Sequence, residues 1–186
     1  MKKIFIGIML LALCISICSC GDVTVETNGD VPSVEQKDET QNVATSIKSG
    51  DKLVADTKEI TINSVELTYD VLPEDTSGFY THYEAEAGKV YICVDADVTN
   101  KAKQNLDCDD IGTVKANYND GYTYSGFVIV DDATTGFTYA SITNIDPLET
   151  KGIKWLIECP QEVEESTNAL FLEIQIDGKE FIYTIR

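Results

Sequence analysis

Three aspartates stand within four residues in "LDCDDIG", namely Asp107, Asp109 and Asp110, and a further pair, Asp131-Asp132, follows later in the chain. Convergent loop carboxylates of this kind suit calcium, which takes about six to eight oxygen ligands. The spacing matches no EF-hand, because no glutamate stands at the closing position. With 32 acidic residues in 186, neighbouring aspartates are also what a solvated acidic surface produces. A second group is aromatic: Tyr80, Tyr83, Tyr118, Tyr122, Tyr124 and Tyr139 crowd the middle of the chain, with Tyr118, Tyr122 and Tyr124 the candidate ligand surface. Aromatic faces beside carboxylates bind sugars or cationic side chains. Strands also simply favour tyrosine.

Catalysis finds less to work with. His82 is the only histidine, so a zinc site or a histidine-dependent triad would have to be built on it alone. Hydrolysis by paired carboxylates needs two acids at a set separation, one with a raised pKa. Among so many acids any pair can be nominated, so none stands out. No Gly-rich phosphate loop, nucleophile elbow or zinc spacing occurs. The sequence predicts a protein without catalytic residues and without a required cofactor.

Six cysteines divide by position into two sets. Cys14, Cys18 and Cys20 close an apolar run that starts after Lys2 and Lys3 and holds no charge from Ile4 to Ser19. A charged start, an apolar stretch and a small residue describe a secretory signal peptide. A membrane-spanning helix needs about 20 apolar residues, and this run stops short at Gly21 and Asp22. Ile17-Cys18-Ser19-Cys20 resembles the bacterial lipobox, and only Cys20 has a small residue before it. That resemblance implies a signal peptide over residues 1–19, a diacylglycerol on the Cys20 sulfur, and Cys20 as the mature N-terminus. Two or more acyl chains hold a protein stably at a membrane, where one holds it marginally. The implied location is the outer face of the bacterial cytoplasmic membrane. The remaining Cys93, Cys108 and Cys159 are odd in number and show no metal spacing, so they read as free, partly buried side chains, with room for one disulfide.

Removing residues 1–19 takes away Lys2 and Lys3 and no acid, which leaves 12 basic residues against 32 acidic ones and a formal charge of −20. Such a surface repels phosphate backbones, so nucleic acid is excluded as a partner. It suits divalent cations and basic partners. From residue 20 to 52 the chain is rich in Thr, Ser, Asp and Glu and holds no aromatic residue. It cannot bury enough apolar area to offset its ordering entropy and reads as a disordered tether. A flexible linker of that length spans on the order of 30 Å.

From residue 53 the pattern turns to period two. In "KVYICVDADVT", Val90, Ile92, Val94, Ala96 and Val98 share one face, while Tyr91, Cys93, Asp95 and Asp97 share the other, wet one. In "GIKWLIEC", Ile153, Trp155, Ile157 and Cys159 share a face, and Pro160 ends the strand. In "ALFLEIQIDGKEFIYTIR", an Asp177-Gly178 turn of type I′ predicts Ile176 opposite Lys179, Ile174 opposite Phe181 and Leu172 opposite Tyr183. "NYNDGYTY" leaves two registers open: a two-residue loop pairing Asn119 with Tyr122, or a three-residue loop, with Gly121 left-handed, pairing Tyr118 with Tyr122. Further strands are predicted over "EITINSVELTY" and near 113–118, 122–130 and 137–145. "QEVEEST" predicts one helical turn. Seven to eight short strands over residues 53–186 describe an all-β, antiparallel two-sheet sandwich.

The whole order resembles a family of bacterial lipoproteins with an immunoglobulin-like domain, akin to the secreted immunoprotective extracellular antigen. The likeness rests on a strand ending at Val98 and Asn100 with Leu106 after the turn, and on Pro147, Leu148, Gly152 and Trp155 before an aromatic strand. Where the family places glycine after the proline, this chain has Leu148. The resemblance implies an immunoglobulin-like sandwich and no particular activity. The expectation is a lipid-anchored extracytoplasmic binding module for a protein or cell-surface ligand. The alternative is a sugar- or calcium-binding lipoprotein accessory to a transporter or the cell wall.

Overall fold

Period-two alternation becomes strand wherever one face can be buried, and the computed structural model describes this for residues 44–186. In chain order the strands begin with β1 (Thr45–Ile47), β2 (Lys52–Val54), β3 (Lys58–Thr68), β4 (Asp70–Val71), β5 (Tyr83–Glu84), β6 (Lys89–Asn100) and β7 (Leu106–Asp107). They continue with β8 (Thr113–Tyr118), β9 (Tyr122–Ser125), β10 (Phe127–Asp132), β11 (Gly136–Tyr139) and β12 (Asn144–Ile145). The last are β13 (Thr150–Pro160), β14 (Leu170–Ile176) and β15 (Lys179–Thr184), with one helical turn, α1 (Glu162–Glu165), after β13. The signal peptide, the Cys20 lipidation motif and the tether as far as residue 43 lie outside the described residues.

Two sheets carry the fold. One has the order β11-β10-β13-β6-β3-β2 and the other β1-β15-β14-β8-β9. Counting β3, β6, β8, β10, β13, β14 and β15 as successive strands, the order β3-β6-β13-β10 against β15-β14-β8 is that of immunoglobulin-type sandwiches. Between them lies one core. Val90, Ile92, Val94, Ala96 and Val98 of β6 and Ile153, Trp155 and Ile157 of β13 meet Val114, Ala116, Leu170, Leu172, Ile174 and Phe181 of the facing sheet. Each aliphatic side chain buried this way contributes about 1.5–3 kcal/mol relative to exposure.

The terminal hairpin has the predicted register, with Leu172 opposite Tyr183, Ile174 opposite Phe181 and Ile176 opposite Lys179. Asp177 and Gly178 both have positive φ, 48° and 75°, as a type I′ turn requires. The turn is fastened from outside. Asp177 Oδ1 lies 3.1 Å from Lys58 Nζ, and Asp177 Oδ2 accepts from Thr57 Oγ1 at 3.0 Å. Lys58, only 4% exposed, also donates to the carbonyl of Asp110 at 2.7 Å. One buried ammonium thus joins the start of β3, the turn between β14 and β15, and the short helical turn over Cys108–Asp110.

Three expectations need correction. The outer face of β6 and β13 is only half wet, because the chain from Asp70 to Glu84 folds over it. Val71, Tyr91, Cys93, Ile129, Phe137 and Leu156 form a second buried cluster there, with Tyr83 against it. Ordered structure also starts before residue 53. β1 runs parallel to β15, Gly50 N–H donates to the Ile62 carbonyl at 2.7 Å, and Ser49 Oγ meets Tyr183 Oη at 2.9 Å. These are largely backbone bonds, which composition does not reveal. Finally, the expected strand over 122–130 divides at Gly126 and changes sheet. A Cβ on Gly126 would sit 2.7 Å from Val114 Cγ1 and 2.8 Å from Ile157 Cγ1, so the crossing has room for glycine alone.

Candidate functional site

The register of one hairpin decides whether a site exists. In β8, Val114, Ala116 and Tyr118 face the core, and residues opposite each other across a ladder share a face. The structure pairs Tyr118 with Tyr122 and Ala116 with Tyr124, which sets all three tyrosines on the inner face at the open side of the sandwich. The alternative two-residue loop would have turned Tyr122 and Tyr124 outward. The loop is the three-residue one, but its left-handed residues are Asn119 and Asp120, each with φ 50°, and Gly121 is not left-handed. Short polar side chains tolerate that backbone region better than other non-glycine residues do.

Tyr118, Tyr122 and Tyr124 line a cleft of about 120 Å³ together with Pro160, Glu162 and Val163. Tyr118 is its floor at 3% exposure, and Tyr122 its wall at 60%. Their ring centroids are 6.1 Å apart. Asn168 Nδ2 donates to Tyr118 Oη at 3.2 Å, and that hydroxyl points on to Glu162 Oε1 at 3.4 Å. Burial raises the Tyr124 phenol, which keeps it neutral. The wall bearing Glu162 is held firmly. Val163 is buried, Arg186 donates to the carbonyls of Val163 and Asn168, and Tyr69 donates to Glu164. Pro160 and Glu162 were not singled out from sequence, although the strand stop at Pro160 and the helical turn after it were. Tyr80, Tyr83 and Tyr139 stand elsewhere: Tyr83 packs against Phe127 and Phe137, Tyr80 lies edge-on to His82, and Tyr139 is exposed.

The aspartates fare differently. Asp107, Asp109 and Asp110 line a polar cleft of about 420 Å³ with Ala140, Ser141, Ile142, Thr143 and Asn144. Among the described residues no three His, Cys, Asp or Glu side chains are grouped to hold a metal ion. Asp131 and Asp132 lie at the end of β10 and part company. Asp132 accepts from Thr134 and Thr135, bonds that hold its carboxyl below the usual range. Asp131 sits over the space left by the missing Cβ of Gly152, where burial pushes its carboxyl up. Lys154 bridges it, at 3.6 Å, to Asp95, which also takes the Asn63 amide at 2.8 Å. His82 pairs with Asp70 at 2.7 Å and lines neither cleft. Cys93, Cys108 and Cys159 are free and buried, and burial pushes their thiols up to about 12, 11 and 11. Thiols so protonated are poor nucleophiles.

No protein-family model and no curated protein sequence matches the chain. Among solved structures, it is 50% identical to an uncharacterized beta-sandwich protein from Clostridium difficile 630, with a TM-score of 0.75, over 77% of this chain and 95% of that one. A conserved hypothetical protein from Bacillus anthracis shares the fold alone, at 15% identity and a TM-score of 0.51, over 74% of this chain and 93% of that one. Half of the residues agree across nearly all of the Clostridium protein, and the chain therefore belongs to that protein's β-sandwich family.

Proposed function

We propose that the protein is a non-catalytic binding module, held outside the cytosol by lipid on Cys20, that takes its ligand in the cleft of Tyr118, Tyr122 and Tyr124. The observation that carries the reading is the convergence of three tyrosines and a carboxylate at the open side of the sandwich. Aromatic faces brought together beside one acid bind by stacking and electrostatics and need no nucleophile. The lipobox, the tether and the resemblance to antigen-type lipoproteins support the anchoring half of the proposal. The partner is a protein or another cell-surface ligand; nucleic acid is disfavoured by the charge of −18 on the full chain.

Two measurements test it. Growth with an alkyne-tagged fatty acid should label the chain, and Cys20→Ala should abolish the label and release the protein from membranes. Titration of the full-length chain with saccharides, amines and calcium, followed by NMR, should move the ring signals of Tyr122 and Tyr124 before any others. An unlabelled wild-type chain would remove the anchor, and a ligand that moves only residues around Asp107–Asp110 would transfer the site to the polar cleft.

A further inference from the structure

Resting on the tyrosine cleft as the binding site, we infer that its ligand group is an alkylammonium, either a free quaternary amine or the side-chain ammonium of a lysine. Size excludes much else. Pockets that enclose a whole small molecule hold about 300–1,000 Å³, whereas this cleft holds about 120 Å³ and therefore takes one chemical group. A sugar ring would also need several free donors and acceptors. The deepest hydroxyl, that of Tyr118, is already engaged by Asn168 and Glu162.

What the lining offers instead is three tyrosine rings, a proline, a valine and one carboxylate. The negative face of an aromatic ring attracts a cation within about 6 Å of its centroid, more strongly where water is excluded. Tyr122, 60% exposed, supplies the open aromatic face, and Tyr118, 3% exposed and 6.1 Å from it between centroids, backs the cleft with only the edge of its surface. Glu162 supplies the counter-charge at the rim, and no lysine or arginine is among the lining residues to compete for it. Glu164 and Glu165 follow on the same helical turn but are taken up by Tyr69 and Gln161, and Arg186 binds the Val163 carbonyl, so Glu162 is the one carboxylate that lines the cleft. Aliphatic carbons of the ligand would rest on Pro160 and Val163.

The test is a titration of the full-length chain with choline and with 3,3-dimethylbutanol, its uncharged carbon isostere, followed by the ring signals of Tyr118, Tyr122 and Tyr124. Choline should saturate those signals and bind at least fivefold more tightly than the isostere. Glu162→Gln, at unchanged melting temperature, should bring choline down toward the isostere, and Tyr122→Ala should weaken it about fivefold. A second arm compares a short peptide bearing one lysine with the same peptide acetylated on that lysine. Tighter binding of the lysine peptide than of choline assigns the group to a polypeptide; the reverse assigns it to a free amine. Equal binding of choline and its isostere overturns the inference while leaving the cleft a binding site. So does a response to saccharides without one to choline. Silence toward every ligand overturns the inference and the binding site together.

Discussion

Two hairpin turns of this molecule contain the same dipeptide, Asp-Gly, and put it to opposite uses. At Asp177-Gly178 both residues are left-handed, the flanking strands pair without a break, and a buried lysine locks the turn to two other parts of the chain. At Asp120-Gly121 the left-handed residues are Asn119 and Asp120, the loop is one residue longer, and its strand β9 ends the sheet. The first turn is spent on stability, the second on presenting Tyr122 and Tyr124. Identical local signals therefore diverge according to what the rest of the fold brings to them.

The largest expected effect breaks the fastened turn. Asp177→Ala leaves the Lys58 ammonium buried without its carboxylate and should destabilise by about 3 kcal/mol in urea denaturation. The same pair gives a pH signature. Burial raises the Asp177 carboxyl, but the bonds from Lys58 and Thr57 outweigh it and hold the group below its ordinary 3.8. The folded state then binds fewer protons there than the unfolded state, so the stabilisation is complete above that value and fades as pH falls beneath it. Asp177→Asn should flatten that part of the acid limb. Next in size, Gly126→Ala drives a methyl against Val114 and Ile157 and should cost about 2 kcal/mol, with Tyr124 signals displaced in NMR spectra.

Smaller substitutions sharpen the contrast between the turns. Gly178→Ala, at φ 75°, should cost about 1 kcal/mol, whereas Gly121→Ala, with open space around its Cα, should change stability by less than about 0.5 kcal/mol. Equal effects would erase the difference between the two turns. A third turn extends it. Asp146 accepts from the Glu149 amide at 3.0 Å, with Pro147 and Leu148 between them and Leu148 left-handed at φ 68°. Leu148 is 79% exposed and pays for its backbone with little burial, so Leu148→Gly should stabilise by about 1 kcal/mol.

The terminal hairpin was legible from sequence because turn chemistry and apolar alternation agree on one register. The tyrosine site was legible only in part. Its three aromatic members stand close in sequence, but two registers were open, and only one gathers them on the inner face. Glu162 follows some forty residues later, on a turn too short to show a helical period of its own. The second buried cluster was hidden for a similar reason: its cover, residues 70–84, has no repeating pattern, and so Cys93 and Tyr91 looked wet. Asp131 and Asp132 show the converse limit, since neighbours in sequence point to opposite sides of a strand and meet different partners.

Gly126 carries a consequence beyond its missing methyl. Side chains alternate on both sides of it, so this one residue keeps time for two strands at once, setting Tyr124 inward before it and Val130 inward after it. Adding or deleting a single residue there would put one of the two strands out of step. A change in the length of the 119–121 loop runs a similar risk for β9, which makes the crossing point a metronome for the tyrosine face and the core together.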